Sequence, residues 1–326
     1  MKSSRLPWAD IAKGVAILLV VVNHTGGGVI GANIGSTPAG WADFTAVCYA
    51  FMVPVFFLLS GWFSQLSSKT PGERIKALAS NLVYPYILWS LLQTALMIVT
   101  KAGNTVPTWG DMPAILLNGY MQFWFLHCLI MILLSDLLLR YFRIPVTIRL
   151  CGALGVASAA VCGLQLPRVL EEFATHILYF EVGVFLAVVS STTRLPVNRM
   201  GLAFAGALML LTFHFNGAGY QTPLRPLGAF AGILFCLSTA SLLACSRNVL
   251  STLLGMCGRY SLQIYVSHLI FSAGLRVLLS RSGVDLFWVH VLAGSLVGIV
   301  LPVMLVHLGG NPIQILFRFQ RPWQRH

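Results

Sequence analysis

Acidic side chains are scarce in this chain. There are nine aspartates and glutamates in 326 residues against 21 lysines and arginines, so only 9% of positions are charged. A soluble domain carries about 25% charged residues, and there is too little charge here to clothe a globule in a polar shell. Cysteine pairing is missing too. The seven cysteines lie within or beside apolar runs and none forms a C-x-x-C unit, which leaves zinc and disulfide frameworks without support. They read as small buried hydrophobes, and no metal site is expected. No basic stripe is interleaved with exposed aromatics, so the net charge of +12 does not point to nucleic acid. No inverted repeat is readable. Neither a cleavable signal nor an appended soluble hydrolase domain is expected.

What is present is hydrocarbon. Hydrophobic residues make up 57% of the chain and the mean hydropathy is +0.81, which defines an integral membrane protein. Runs of about 20 apolar residues, the length needed to span a bilayer, occur at about ten places: 10–30, 44–64, 78–100, 120–139, 146–164, 173–190, 199–215, 227–245, 260–280 and 286–308. They lack strand alternation, and only helices or closed barrels satisfy their backbone in lipid. The expected fold is therefore all-α, a polytopic transmembrane helical bundle. With the N-terminus in the cytoplasm, the outer segments hold only Lys101, Arg168, Arg225, Arg276 and Arg281 of the 21 basic residues. That is a strong positive-inside bias, and an even number of spans puts both termini in the cytoplasm. Residues 1–308 form the membrane domain. Residues 309–326 are a short basic cytoplasmic tail, in which Arg318, Arg321 and Arg325 alternate with Phe317, Phe319 and Trp323; it reads either as an amphipathic segment on the inner leaflet or as a plain basic terminus.

The first span, "ADIAKGVAILLVVVNHTGGG", carries polar residues at both ends. Lys13 and His24 are 11 residues apart, about three turns, so they project from nearly one face with a rise of roughly 16 Å between them. Asp10, three residues before Lys13, neighbours it on that face. One reading has Lys13 snorkelling to lipid phosphates and His24 capping the outer end. The other is functional, because ionisable residues inside a membrane mark sites, and Asn23 adds a second polar group. The "HTGGG" that follows lacks the Lys-Ser/Thr of a phosphate loop.

"WADIAKGVAILLVVVNH" resembles the opening of the acyltransferase 3 family of integral membrane acyltransferases. That family places an Arg or Lys, ten residues and a His in its first helix, which Lys13 and His24 match. "VPVFFLLSGWF" (53–63) resembles its second helix, and "ERIKALASNLVYPYILWS" (73–90) its basic turn and proline-containing third helix. "FWFLHCLI" (123–130) and "GRYSLQIYVSHLIF" (258–271) resemble its fourth helix and a late His-containing segment. The resemblance implies transfer of an acyl group, often acetyl, from acyl-CoA to a hydroxyl on a sugar, glycan or lipid. It further implies a multi-pass protein of the bacterial inner membrane, with membrane lipids, acyl-CoA and a carbohydrate or lipid-linked glycan as its partners. By resemblance, His24 is the essential histidine, and Lys13 and Arg74 are basic positions linked to acyl-CoA use.

The residues suit that chemistry. A sugar hydroxyl is a weak nucleophile, and His24 is the candidate general base. Lys13, Arg74 and Lys76 share the cytoplasmic side and would meet the donor's phosphates, although Lys13 is a point charge without the fork of arginine, and Arg74 and Lys76 also fit the positive-inside rule alone. His268 either lines the same cavity or is an interhelical hydrogen-bonding histidine. Trp124 either shapes the cavity or packs. Glu181, a carboxylate within a span, has three options: to orient His24, to pair with a base, or to stay protonated. Asp136 is expected to pair with Arg140. Ser60, before Gly61, reads as a packing or ligand-approach element rather than a nucleophile. Two other functions fit the same composition: a proton-coupled secondary transporter using Lys13, His24 and Glu181, and a non-enzymatic partner in polysaccharide export. Binding of acyl-CoA from the cytoplasmic face separates the enzyme from both.

Overall fold

The apolar runs form helices throughout. A computed structural model describes residues 6–101, 105–190, 199–216, 225–246, 248–309 and 313–318. Among these, α1 spans Pro7–Gly31 and α2 Trp41–Leu66. The next span begins with α3 (Pro71–Leu78), passes through a π segment (Ala79–Val83) and continues as α4 (Tyr84–Thr100). The short α5 (Met112–Asn118) precedes α6 (Trp124–Tyr141), followed by α7 (Val146–Val161) and α8 (Arg168–Val189). The remainder comprises α9 (Arg199–Asn216), α10 (Arg225–Ser246), α11 (Val249–Arg259), α12 (Ser261–Arg281) and α13 (Phe287–Leu308).

Each of the ten predicted spans coincides with a helical stretch. Eight stretches of the described residues are long and apolar enough to cross a membrane, and the protein is a polytopic helical bundle. The predicted spans at 146–164 and 199–215 correspond to the shorter α7 and α9, of 16 and 18 residues. At 1.5 Å per residue α7 is about 24 Å long, short of the ~30 Å hydrocarbon core. Two short helices, α5 and α11, fall outside the predicted spans; Asn248 starts α11 by accepting a hydrogen bond from Ser251 N at 2.8 Å.

The centre of the bundle is α1. It packs against α2, α10, α11, α12 and α13, so the polar groups it carries face protein rather than lipid. Leu210, Leu211, Leu292 and Leu296 stay exposed on the outer helices, as a lipid-facing surface requires. Backbones meet closely where glycine allows it. A Cβ on Gly61 of α2 would stand 2.0 Å from Phe180 O of α8, and one on Gly183 of α8 would stand 2.0 Å from Leu58 O of α2. The same device joins α1 to α11, where a Cβ on Gly14 would lie 2.0 Å from Leu254 O. Ser60-Gly61 is thus part of a helix crossing.

The first described residues of the tail, 313–318, turn back onto α4. Trp89 Nε1 donates to Leu316 O at 2.8 Å, and the buried Phe317 ring lies over Trp89 with centroids 5.3 Å apart. Phe319, Arg321, Trp323 and Arg325 lie outside the described residues.

Gly61→Leu and Gly183→Leu each force α2 and α8 apart. We expect each to cost more than the roughly 1–3 kcal/mol of ordinary overpacking, seen as loss of the monodisperse peak when the detergent-solubilised chain is run by size exclusion. A wild-type elution profile and melting temperature for both would refute the crossing.

Candidate active site

His24 and Asn23 stand in the last third of α1, where the helix borders a cavity of about 650 Å³. Other polar groups on its wall include Tyr49 of α2, Gln93 and Thr100 of α4, Gln122 ahead of α6, and Arg276 and Arg281 of α12. Gln93 and Gln122 exchange amide hydrogen bonds, with Gln122 Nε2 donating to Gln93 Oε1 at 2.6 Å and Gln93 Nε2 to Gln122 Oε1 at 3.3 Å. This ties the two walls together. Tyr265 donates its hydroxyl to Gln122 O. Asn23 donates Nδ2 to Leu19 O at 2.9 Å, while its buried Oδ1 accepts no hydrogen bond among the described residues.

Behind His24 sits His268, fully buried on α12. His24 Nδ1 and His268 Nε2 are 2.9 Å apart, with ring planes 11° apart and centroids at 5.2 Å. The rings therefore meet edge to edge, nearly coplanar. His268 Nδ1 faces two main-chain carbonyls of its own helix, Tyr265 O at 2.7 Å and Ile264 O at 3.0 Å. A carbonyl oxygen only accepts, so His268 Nδ1–H donates to them and its neutral ring offers a lone pair at Nε2. His24 must then donate from Nδ1–H. The remaining lone pair of a neutral His24 is on Nε2, and no described residue donates to it. A buried ring thus sets the tautomer of one that reaches the cavity.

Of the other predicted residues, Asp10 and Lys13 lie toward the opposite end of α1, and Arg74 closes the neighbouring end of α2. Lys13 holds its ammonium 4.8 Å above the Phe63 ring, one helical turn beyond Asp10 on α1. Arg74 is engaged by main chain: it donates to Ser64 O (3.0 Å), Ser67 O (2.7 Å) and Lys69 O (3.1 Å), closing the end of α2. Its fork faces carbonyls rather than open space. Lys76 is exposed. Ser60 is half-buried beside the α2–α8 crossing, and the Trp124 ring packs against His176 with centroids 5.3 Å apart. Neither lines the cavity.

Glu181 is not beside His24. Of the three options open to it, the structure shows pairing with a base, and that base is Arg149, which sequence reasoning counted only as a loop cation. Arg149 donates Nε to Glu181 Oε2 at 3.0 Å and Nη2 to Glu181 Oε1 at 2.7 Å, and Nη2 also reaches Asp136 Oδ1 at 2.6 Å. Asp136 makes its expected pair with Arg140 at 2.9 Å and accepts from Ser64 Oγ at 2.6 Å. The expected pair therefore belongs to a larger buried cluster, with side chains of Arg149, Asp136 and Glu181 at most 2% exposed. It joins α2, α6, α7 and α8.

The cavity arginines were also missed as site residues. The available signal was Arg276 itself, a cation inside the apolar run "SAGLRVLLS", of the kind that singled out Glu181.

A family model described as an acyltransferase domain, acyltransferase 3, matches residues 6–307. No curated protein and no solved structure matches the chain.

Removing one member of a buried ion cluster leaves the others uncompensated, at about 3–5 kcal/mol. Arg149→Met should therefore lower the melting temperature of the detergent-solubilised chain sharply. Arg149→Met with Glu181→Leu should recover much of the loss, since Asp136 keeps Arg140 and Ser64. Equal melting temperatures for wild type and Arg149→Met would show that the cluster does not hold the helices.

Proposed function

Because the chain belongs to the acyltransferase 3 family, whose members are multi-pass membrane acyltransferases, we propose that it moves an acyl group, usually acetyl, from acyl-CoA to a hydroxyl of a cell-envelope carbohydrate or lipid-linked glycan in the bacterial inner membrane. The observation that carries this reading is the bare Nε2 of His24 at the wall of a 650 Å³ cavity, with its tautomer set from behind by His268.

In this reading the acceptor hydroxyl enters the cavity and hydrogen-bonds to His24 Nε2. His24 takes its proton as the oxygen attacks the thioester carbonyl; the new C–O bond forms, the C–S bond breaks, and the proton passes to the departing CoA thiolate. His268 is a positioning residue, since its Nε2 accepts from His24 Nδ1–H and steadies the ring as it becomes an imidazolium. Asn23 borders the same wall, with its amide tied back to Leu19 O. The donor comes from the other end of α1, with its phosphates near Lys13 and Lys76 and its pantetheine arm along the helix toward His24. Arg74 shapes that entrance by closing α2. Pairing of Glu181 with Arg149 deprives the transporter reading of one of its proton carriers.

The test is transfer from radiolabelled acetyl-CoA to envelope glycans in membranes holding equal amounts of each variant. His24→Ala should abolish labelling. His268→Leu should lower kcat about 10- to 100-fold with the KM for acetyl-CoA unchanged, while His268→Gln, which keeps an acceptor, should retain more activity. Full labelling with His24→Ala would remove His24 as the base, and labelling absent from wild type would remove acetyl-CoA as the donor.

A further inference from the structure

Arg276 is half-buried at the cavity wall, and no described residue forms a hydrogen bond or ion pair with it. A guanidinium offers five donors, and leaving it without a partner away from bulk water is unfavourable. The chain has no acidic residue to spare for it. All nine aspartates and glutamates fall within the described residues, and none lines the cavity. Every charged side chain on the wall is cationic, with Arg276 inside and the exposed Arg281 at the rim.

The position of the guanidinium is built in from α1. Gly28 follows His24 by four residues and shares its face, about one turn or 6 Å farther along the axis. A Cβ at Gly28 would stand 2.1 Å from Arg276 Nη1, so glycine is what lets the guanidinium lie there. Gly27, also on the wall, has nothing within 4 Å of the position its Cβ would take. Gly28 and Gly27 thus leave room for one cation and for whatever that cation holds, whereas Gly26 makes way for the Trp41 ring.

We propose that Arg276, with Arg281 at the rim, binds an anionic group of the acceptor, a phosphate or a carboxylate, and so brings a hydroxyl about one helical turn away onto His24 Nε2. The planar fork of arginine matches both anions bidentately. The word "acceptor" rests on the acyltransferase reading; the anion site does not. The phosphates of the donor are the competing anion, but the cavity lies at the end of α1 opposite Lys13, the end that the distribution of basic residues puts outside. The substrate class that fits is an acidic glycan, charged either through a lipid-linked diphosphate or through an acidic sugar.

The full chain in lipid nanodiscs exposes both faces, and carbethoxylation of His24 by diethyl pyrocarbonate, read by mass spectrometry, reports occupancy beside it. Inorganic diphosphate or glucuronate should slow the modification, and glucose at the same concentration should not. Protection by diphosphate alone points to the lipid-linked source and by glucuronate alone to the acidic sugar; either supports the site. Arg276→Gln should weaken the protecting affinity roughly 10- to 100-fold, Arg276→Lys should restore part of it, and Arg168→Gln, which changes an exposed arginine at the start of α8, should match wild type. Acetyl-CoA binding should survive Arg276→Gln. The proposal is overturned if glucose protects equally, or if Arg276→Gln is protected like wild type while its melting temperature falls, which would make Arg276 a partner of the α1 carboxyl end. Loss of acetyl-CoA binding in Arg276→Gln would also overturn it, by making the cavity the donor site. Anion protection in a protein that transfers no acyl group would keep the anion site and remove the acyltransferase reading instead.

Discussion

A polar group in hydrocarbon has no water to fall back on, so the charged and imidazole side chains of this bundle depend on protein partners or on a ligand that takes their place. The demand is met toward one end of the bundle by ions: Arg149 bridges Glu181 and Asp136, and Asp136 draws in Arg140 and Ser64. In the middle it is met by imidazole, with His268 satisfied by two carbonyls and satisfying His24. Beyond that the demand is unmet. Asn23 Oδ1 is buried without a donor, and the Arg276 guanidinium stands at the cavity wall without a partner among the described residues.

The same constraint separates two environments along α1. At the Lys13 end, the surrounding cations and carboxylates are largely occupied with one another or with main chain, and the bundle is knitted tightly through Arg74, Ser64 and Asp136. At the His24 end the walls part, glycine replaces side chains at Gly27 and Gly28, and Arg276 has no partner among the described residues. A helix fixed against α11 by glycine contact at Gly14 holds these two environments at one distance, about 16 Å between Lys13 and His24.

Much of this was legible in the chain. The spans are visible because hydropathy is a local property, and helix periodicity alone puts Lys13 and His24 on one face. His24 and Asn23 stood out as polar groups inside an apolar run. His268 was a candidate, but its role depends on α12 lying against α1, which no local pattern records. Arg149 was hidden for a related reason: it follows a loop and looks like any cytoplasmic cation until α7 and α8 are seen side by side. Arg74 misled in the other direction, since its pattern suggests a phosphate ligand while its donors close a helix end ten residues back. The short α11 escaped because 11 residues are too few for a membrane signal.

The hydrogen bond between His24 and His268 joins residues separated by 244 positions. At a synthesis rate of about 5–20 residues per second, α12 emerges roughly 12–50 s after α1. Throughout that interval His24 is already made and its partner is not. A truncated chain lacking α12 has every residue of the first helix and no fixed tautomer at His24, so the histidine pair comes into being only near the end of translation. On the proposed mechanism, a nascent or prematurely terminated protein carries the base without the ring that positions it, and the order in which its helices are born keeps it inactive.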